Sequence, residues 1–184
     1  VATLNTGSVL YSGLINGDTF SGTYTGAFNN ANAGTGKTVT ITPTYSGADV
    51  NNYSITNHST ITADVAVKAL TATASASNKV YDASNTATTT LTLTGLIGSE
   101  TLGQTVGSTF DNKNVGTGKS VTVNSITLAN GSNGGLAANY SISPGQTTTA
   151  NVTAKALTVS GITASNKTYD ANAVATLDAT SVAY

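Results

Sequence analysis

The 184-residue chain carries seven Lys or Arg and eight Asp or Glu, for a net charge of −1, and has no Cys, Met or Trp. With charged residues at only 8%, there is no basic surface to displace the counterions of a nucleic acid. There is no thiol for a disulfide, redox couple or Cys-based metal site, and no apolar run near the roughly 20 residues that span a bilayer.

Thr and Val, poor helix formers and good strand formers, recur throughout, so strands are predicted along the whole chain. The opening VATLNTGSVLY leads into GLINGDT (13–19), where Asn16-Gly17 marks a turn. FNNANAGTGKTVTI (28–41) predicts a turn over 29–36, carrying Gly34 and Gly36, and then a strand over 37–44. That strand places Val39 and Ile41 on one face and Thr38, Thr40 and Thr42 on the other, and Pro43 demotes its end to an edge or bulge. A turn over 46–52 precedes NYSI, with Tyr53. A strand over 60–69 sets Ile61, Ala63, Val65, Val67 and Ala69 on one predicted core face. Residues 67–77 keep the alternation with no Gly or Pro, so a stiff connection is expected there. SNKVYDA (77–83) follows, then a strand over 88–93 with Leu91 and Leu93, and a turn at 98–100. FDNKNVGTGKSVTV (110–123) gives a turn over 111–118, with Gly116 and Gly118, and a strand over 120–126 with Val121 and Val123. NGSNGGLAA (130–138) is turn chemistry only. NYSI then returns with Tyr140, followed by TANVTAKAL (149–157), SNKTYDA (165–171) and VATLDATSVAY (174–184).

These segments are the same module used again. SNKVYDA returns 88 residues later, TADVAVKAL and NYSI at 87, and GLINGDT and AGTGK at 82. The drop from 87 to 82 places about five extra residues of the second copy in the loop at 130–138, a lengthened surface connection. Residues 1–68 read as a first repeat lacking its N-terminal segment, 69–155 as a complete repeat and 156–184 as the start of a third. A piece of a longer array is the expectation. Six or seven short strands in 87 residues suit an all-β fold, a small antiparallel Ig-like β-sandwich, and tandem sandwiches predict an extended rod.

The polar motifs divide between chemistry and architecture, and most favour architecture. Asn78-Lys79-x-Tyr81-Asp82 and Asn166-Lys167-x-Tyr169-Asp170 form the sharpest cluster; the structural reading buries the Tyr ring and has Asp close a turn. A Lys–Asn isopeptide cross-link would need a buried Lys, Asn and acid together, and an intact mass 17 Da low would reveal it. AGTGKT mimics a phosphate loop, but Ala31 and Lys113 stand where that loop needs Gly, and strands follow both copies. Asp111-Asn112-x-Asn114 is the nearest approach to a calcium loop, so calcium is a weak expectation and no other cofactor or metal is. His58 has no nucleophile or ligand set around it. The acids Asp18 and Glu100 match at one turn, where a lone acid usually serves solubility or an edge Lys. Asn52, Asn57, Asn130, Asn139, Asn151 and Asn166 begin N-x-[ST] triplets, as chance provides in a chain rich in Asn and Thr. No catalytic constellation repeats, and an enzyme is not expected.

The SNKxYDA motifs, the two FxN…GTGK stretches and SGADVNNYSI resemble the YDG-type repeats, with related MBG repeats, of large bacterial filamentous-haemagglutinin-like surface adhesins. The Gly of the YDG signature is Ala83 here, and Ala171 in the next copy. Since Ala tolerates positive φ poorly, a left-handed turn is not expected at that point. The resemblance implies an exported, extracellular, non-enzymatic all-β stalk that acts in surface adhesion or biofilm cohesion. Its partners would be neighbouring repeats of the same chain, identical chains or matrix polysaccharide, with no nucleic acid and no membrane span. Two alternatives are open. One is a glycan-binding module that uses Tyr11, Tyr24, Tyr45 and Tyr53, of which only Tyr53 recurs. The other is a filament whose orphan first unit accepts a strand from 156–184 of another chain.

Overall fold

A computed structural model describes residues 2–183. It contains strands β1 (Ser21–Phe28), β2 (Gly34–Ser46), β3 (Thr60–Val65), β4 (Lys68–Ala69), β5 (Thr71–Ala76), β6 (Lys79–Val80) and β7 (Thr86–Ala87). These are followed by β8 (Thr89–Thr94), β9 (Leu102–Phe110), β10 (Gly116–Asn130), β11 (Tyr140–Ser141), β12 (Thr147–Thr153), β13 (Thr163–Ala164) and β14 (Leu177–Asp178). Single 3-10 turns at Val50–Asn52 and Ala137–Asn139 end on the Asn of the two NYSI segments. The described residues hold no α-helix, and no helix long and apolar enough to cross a membrane. The fold class is all-β, as expected from the Thr/Val patterning.

Two compact units account for these elements: one comprises residues up to Thr73 with Thr92–Thr105 and Ile126–Pro144, the other Ala74–Leu91, Val106–Ser125 and the chain from Gly145. Their bounds differ from the periods at 68/69 and 155/156, which mark sequence recurrence rather than compactness. In the first unit, β1, β2 and β3 form an antiparallel sheet in that order, extended by a bridge from Ala2 to Gly26. Pro43 lies opposite Tyr24 of β1, beyond the point where β3 leaves β2 at Ile41, so its missing N–H breaks no ladder. β4 pairs in parallel with β11. A five-stranded sheet runs β6-β12-β10-β9-β7. Its core is Ala87, Phe110, Val121, Ala150 and Val152, with Ala76 and Tyr81 packed against it.

The sequence offsets reappear as hydrogen-bond registers. In the first copy Gly34 lies opposite Val65 and Lys37 opposite Ala63, with a bulge between; in the second Gly116 lies opposite Val152 and Lys119 opposite Ala150, with the same bulge. The ladders continue in step, Val39 with Ile61 and Val121 with Thr148, and end on matching bonds from Ile41 to Ser59 and from Val123 to Gln146. The extra residues of the second copy form a loop closed by Gly131 N–H to the Gly135 carbonyl, with Asn133 at φ 55°.

One predicted core face is not a core. Ile61, Ala63, Val67 and Ala69 are exposed and Val65 only half-buried, whereas Ala150 and Val152, the counterparts of Ala63 and Val65, are buried. The alternation made the strand, but burial needs a covering layer, and β6 with Tyr81 supplies it only over β12. Residues 153–181 are all exposed, and the segment that follows β12 forms only β13, paired with β14, and a bridge from Ser160 to Ala183.

Candidate functional site

The polar residues singled out by the repeat converge on turns. Lys79 turns its ammonium onto Asp82 Oδ1 at 2.8 Å, the Ser84 carbonyl at 2.9 Å, Ser84 Oγ at 3.0 Å and the Thr86 carbonyl at 3.0 Å. It also lies 5.7 Å from the centre of the Phe110 ring. Asp82 Oδ1 also accepts from Ser84 N–H, so one Lys and one Asp close a loop between β6 and β7. The Lys79 ammonium, and then the Ser84 amide, hold the Asp82 carboxyl down to about 2. Lys167 repeats the arrangement with Asp170, at 2.7 Å, and with the carbonyl and side chain of Asn172, where the second copy has Ser84. The Asp170 carboxyl is held below its ordinary range chiefly by Lys167.

At the centre of each clamp stands Ala83 at φ 66° or Ala171 at φ 58°. The expectation of no left-handed turn there is corrected: the turn keeps the conformation a Gly would adopt. Four hydrogen bonds around Lys79 over-determine it and outweigh the cost of the Cβ. Asn78 Oδ1 accepts from the Asn151 N–H at 2.7 Å and fixes β6 against β12.

A second clamp closes each long hairpin. Lys37, a buried residue, reaches the carbonyl and side chain of Asn30 and the carbonyl of Asn32. Lys119 reaches Asn112 Oδ1 at 2.6 Å and Asp111 Oδ1 at 2.9 Å. The side-chain oxygens of Asp111 and Asn112 in the calcium-like Asp111-Asn112-x-Asn114 thus accept from Lys119 and from the amides of Asn112 and Asn114. The described residues contain no group of three acids or His that could hold a metal. Lys119, Asn112 and Asp111 do stand together, but Lys119 holds the Asp111 carboxyl below its ordinary range, in the ionised form, whereas the isopeptide reaction needs an acid that can donate a proton. Gly36 and Gly118 both sit at φ 59° and donate to Asp64 and Asn151 of the facing strand, which assigns the GTGK motif to a hairpin bulge and not to phosphate. Gly34 and Gly116 open the bulge, and their hydrogens face the Lys37 and Lys119 stems.

The third recurring device is a tyrosine hook. Tyr53 donates its hydroxyl proton to Asp18 and accepts from Ile15 N–H at 3.0 Å; Tyr140 donates to Glu100 and accepts from Ile97 N–H at 3.1 Å. The acid raises the phenol pKa in both hooks. Asp18 and Glu100 are thus each partnered by a Tyr hydroxyl rather than by a Lys. Their match in both copies, at the same offset as the preceding Ile, was the sequence signal for this pairing.

The first copy alone adds an aromatic cluster. Phe20 stacks edge-on against Tyr11 at 4.7 Å and against Tyr53 at 6.0 Å, and lies tilted at 5.3 Å from Tyr45. Tyr11 and Tyr24 share a hydroxyl–hydroxyl bond of 3.1 Å, which with burial pushes the Tyr24 phenol up. These rings line a cleft of 710 Å³ together with Pro43, Asn57 and His58. The second copy has Leu93, Leu102, Val106 and Thr127 where the first has Tyr11, Phe20, Tyr24 and Tyr45. The sequence showed that these Tyr were specific to one copy; only the structure shows that they converge.

No curated protein and no solved structure matched the chain. The family model described as the YDG domain matches it twice, over residues 1–63 and 66–150. With both matches following the recurring hairpins, clamps and hooks, the chain belongs to the YDG domain family.

Proposed function

We propose that the chain is a structural repeat region of a secreted bacterial adhesin or extracellular fibre, contributing reach to surface adhesion or matrix cohesion. The observation that supports this reading is where the repeated polar groups go. Lys37, Lys79, Lys119 and Lys167 are all bonded to turns of their own repeat, Asp82 and Asp170 among their partners, and Asp18 and Glu100 each accept a Tyr hydroxyl proton. A module whose recurring chemistry closes its own loops offers stability and length rather than a reaction. Small-angle scattering of the chain tests it: an elongated profile of aligned units is expected, and a globular or freely flexible profile would overturn the reading.

The convergence of Tyr11, Tyr24, Tyr45 and Tyr53 favours a second reading, in which the first copy binds a neutral glycan. The lining of the cleft carries no Lys, Asp or Glu, and rings with hydroxyls suit a ligand with both C–H and O–H faces. A glycan array probed with the whole chain separates the two: specific binding abolished by Tyr24→Ala supports the module, and silence leaves the shaft.

A further inference from the structure

The first repeat passes into the second through a very short stretch of chain. β3 ends at Val65, opposite Gly34 of β2, and β4 begins at Lys68, opposite Tyr140 of β11. Only Ala66 and Val67 stand between them, in no strand. A single covalent crossing leaves the φ and ψ of those two residues as soft rotations. A second connection lies beside it. Asn139 comes from the 3-10 turn before Tyr140; its Oδ1 accepts from Ala33 N–H at 2.8 Å and its Nδ2 donates to Asn32 Oδ1 at 3.2 Å. Ala33 is next to Gly34 as Asn139 is next to Tyr140, so the crossing and the contact together close a small ring. All of these residues belong to the first compact unit.

We propose that Asn139 is a latch that fixes one repeat on the next, a polar interaction surface whose partner is the hairpin loop of the preceding repeat in the same chain. Both sides of the contact are held in shape. Asn32 N–H donates to Asn30 Oδ1 at 3.0 Å and the Asn32 carbonyl accepts from Lys37, so the clamped loop presents the Ala33 N–H to Asn139. The Asn139 N–H is bonded to the Leu136 carbonyl at 3.0 Å, and its side-chain amide is the part that reaches across. Two hydrogen bonds would not hold separate molecules together, because association removes their translation and rotation; across a two-residue link that freedom is already gone. Each copy carries both halves. Asn52 sits exposed on the matching turn with its N–H on the Asp49 carbonyl, and Asn114 N–H is bonded to Asn112 Oδ1 as Asn32 N–H is to Asn30 Oδ1. The socket is a main-chain N–H, so Val115 in the place of Ala33 keeps it. The same latch can therefore join successive repeats. Its purpose, holding neighbouring repeats at one fixed setting, rests on the stalk reading; the contact itself does not.

The chain has no Cys, so two introduced thiols can carry spin labels. Thr40→Cys on β2 of the first copy and Thr127→Cys on β10 of the second are exposed positions of the first compact unit. Double electron–electron resonance on the whole labelled chain is expected to give one narrow distance distribution. Asn139→Ala is expected to widen it with the circular dichroism unchanged, and Asn32→Ala, which removes the longer of the two bonds, to widen it less. Asn52→Ala, on the matching turn of the first copy, is expected to leave it as it was. Exchange of the Ala33 amide is expected to quicken roughly fivefold in Asn139→Ala, as the loss of one ordinary hydrogen bond does. A broad distribution in the parent, an equally narrow one in Asn139→Ala, an unchanged Ala33 amide, or equal widening by Asn52→Ala would overturn the latch. If Asn139→Ala alters the dichroism, Asn32→Ala is read in its place, and no widening there overturns it as well. A broad label distribution with an elongated scattering profile would remove the latch and leave the shaft; a narrow one that widens in Asn139→Ala, with a globular profile, would remove the shaft and leave the latch.

Discussion

Ala83 and Ala171 hold positive φ without the freedom of Gly, at a cost of roughly 1–2 kcal/mol each for an L side chain in that region. Ala83→Gly relieves it, less the extra entropy Gly loses on folding. The expected result is a gain of about 1 kcal/mol in urea unfolding, with the slope unchanged. The acid limb of stability belongs to the same turn. The Asp82 carboxyl is depressed from 3.8 to about 2, so the folded state binds fewer protons than the unfolded chain. Its contribution is complete above pH 3.8 and is lost as the pH falls toward about 2. Asp82→Asn is expected to flatten the fall of the thermal midpoint across that window, compared with the parent chain in the same series. The clamp was legible from Lys-x-Tyr-Asp recurring at one spacing. The φ of Ala83 was not, because intrinsic preference argues against it and only the summed bonds of Lys79 enforce it.

Hairpins and hooks are the next scale up. Gly118 at φ 59° has nothing within 4 Å of the position a Cβ would take, so Gly118→Ala meets backbone strain and no clash. A loss of about 1 kcal/mol or slightly more is expected by denaturant titration, with Gly36→Ala behaving alike in the matching bulge. Tyr140→Phe deletes a hydroxyl that both donates to Glu100 and accepts from Ile97 N–H, and leaves the ring in place. Faster amide exchange at Ile97 is expected, with little change at Val121 in the second unit's sheet. The strand over 37–44 and the turns at 29–36 and 111–118 were readable because period-two patterning and Gly/Asn punctuation are local signals. β1 and β9 were not singled out in advance, since SGTYTGAF and LGQTVGSTF spend alternate positions on Gly, Ser and Thr and carry little apolar contrast.

Across the molecule, one sheet is built twice and covered differently. Phe110 is 2% exposed beneath Ala76 and Tyr81, whereas its counterpart Phe28 is only half-buried. Phe110→Ala is expected to cost about 3–5 kcal/mol and Phe28→Ala clearly less, measured as unfolding free energies of the two variants side by side. The sequence by itself determined the all-β class, the copies and their offsets, the Gly/Asn turns and the recurrence of Lys-x-Tyr-Asp, since each follows from side-chain type at fixed spacing along one segment. The tertiary structure alone decided that Ala150 and Val152 are core while Ala63 is exposed and Val65 only half-buried, and that four Tyr of the first copy meet in one cleft. Equal patterns gave unequal burial because removing a face from water requires a second layer, and the presence of that layer depends on which distant segment pairs beside the strand.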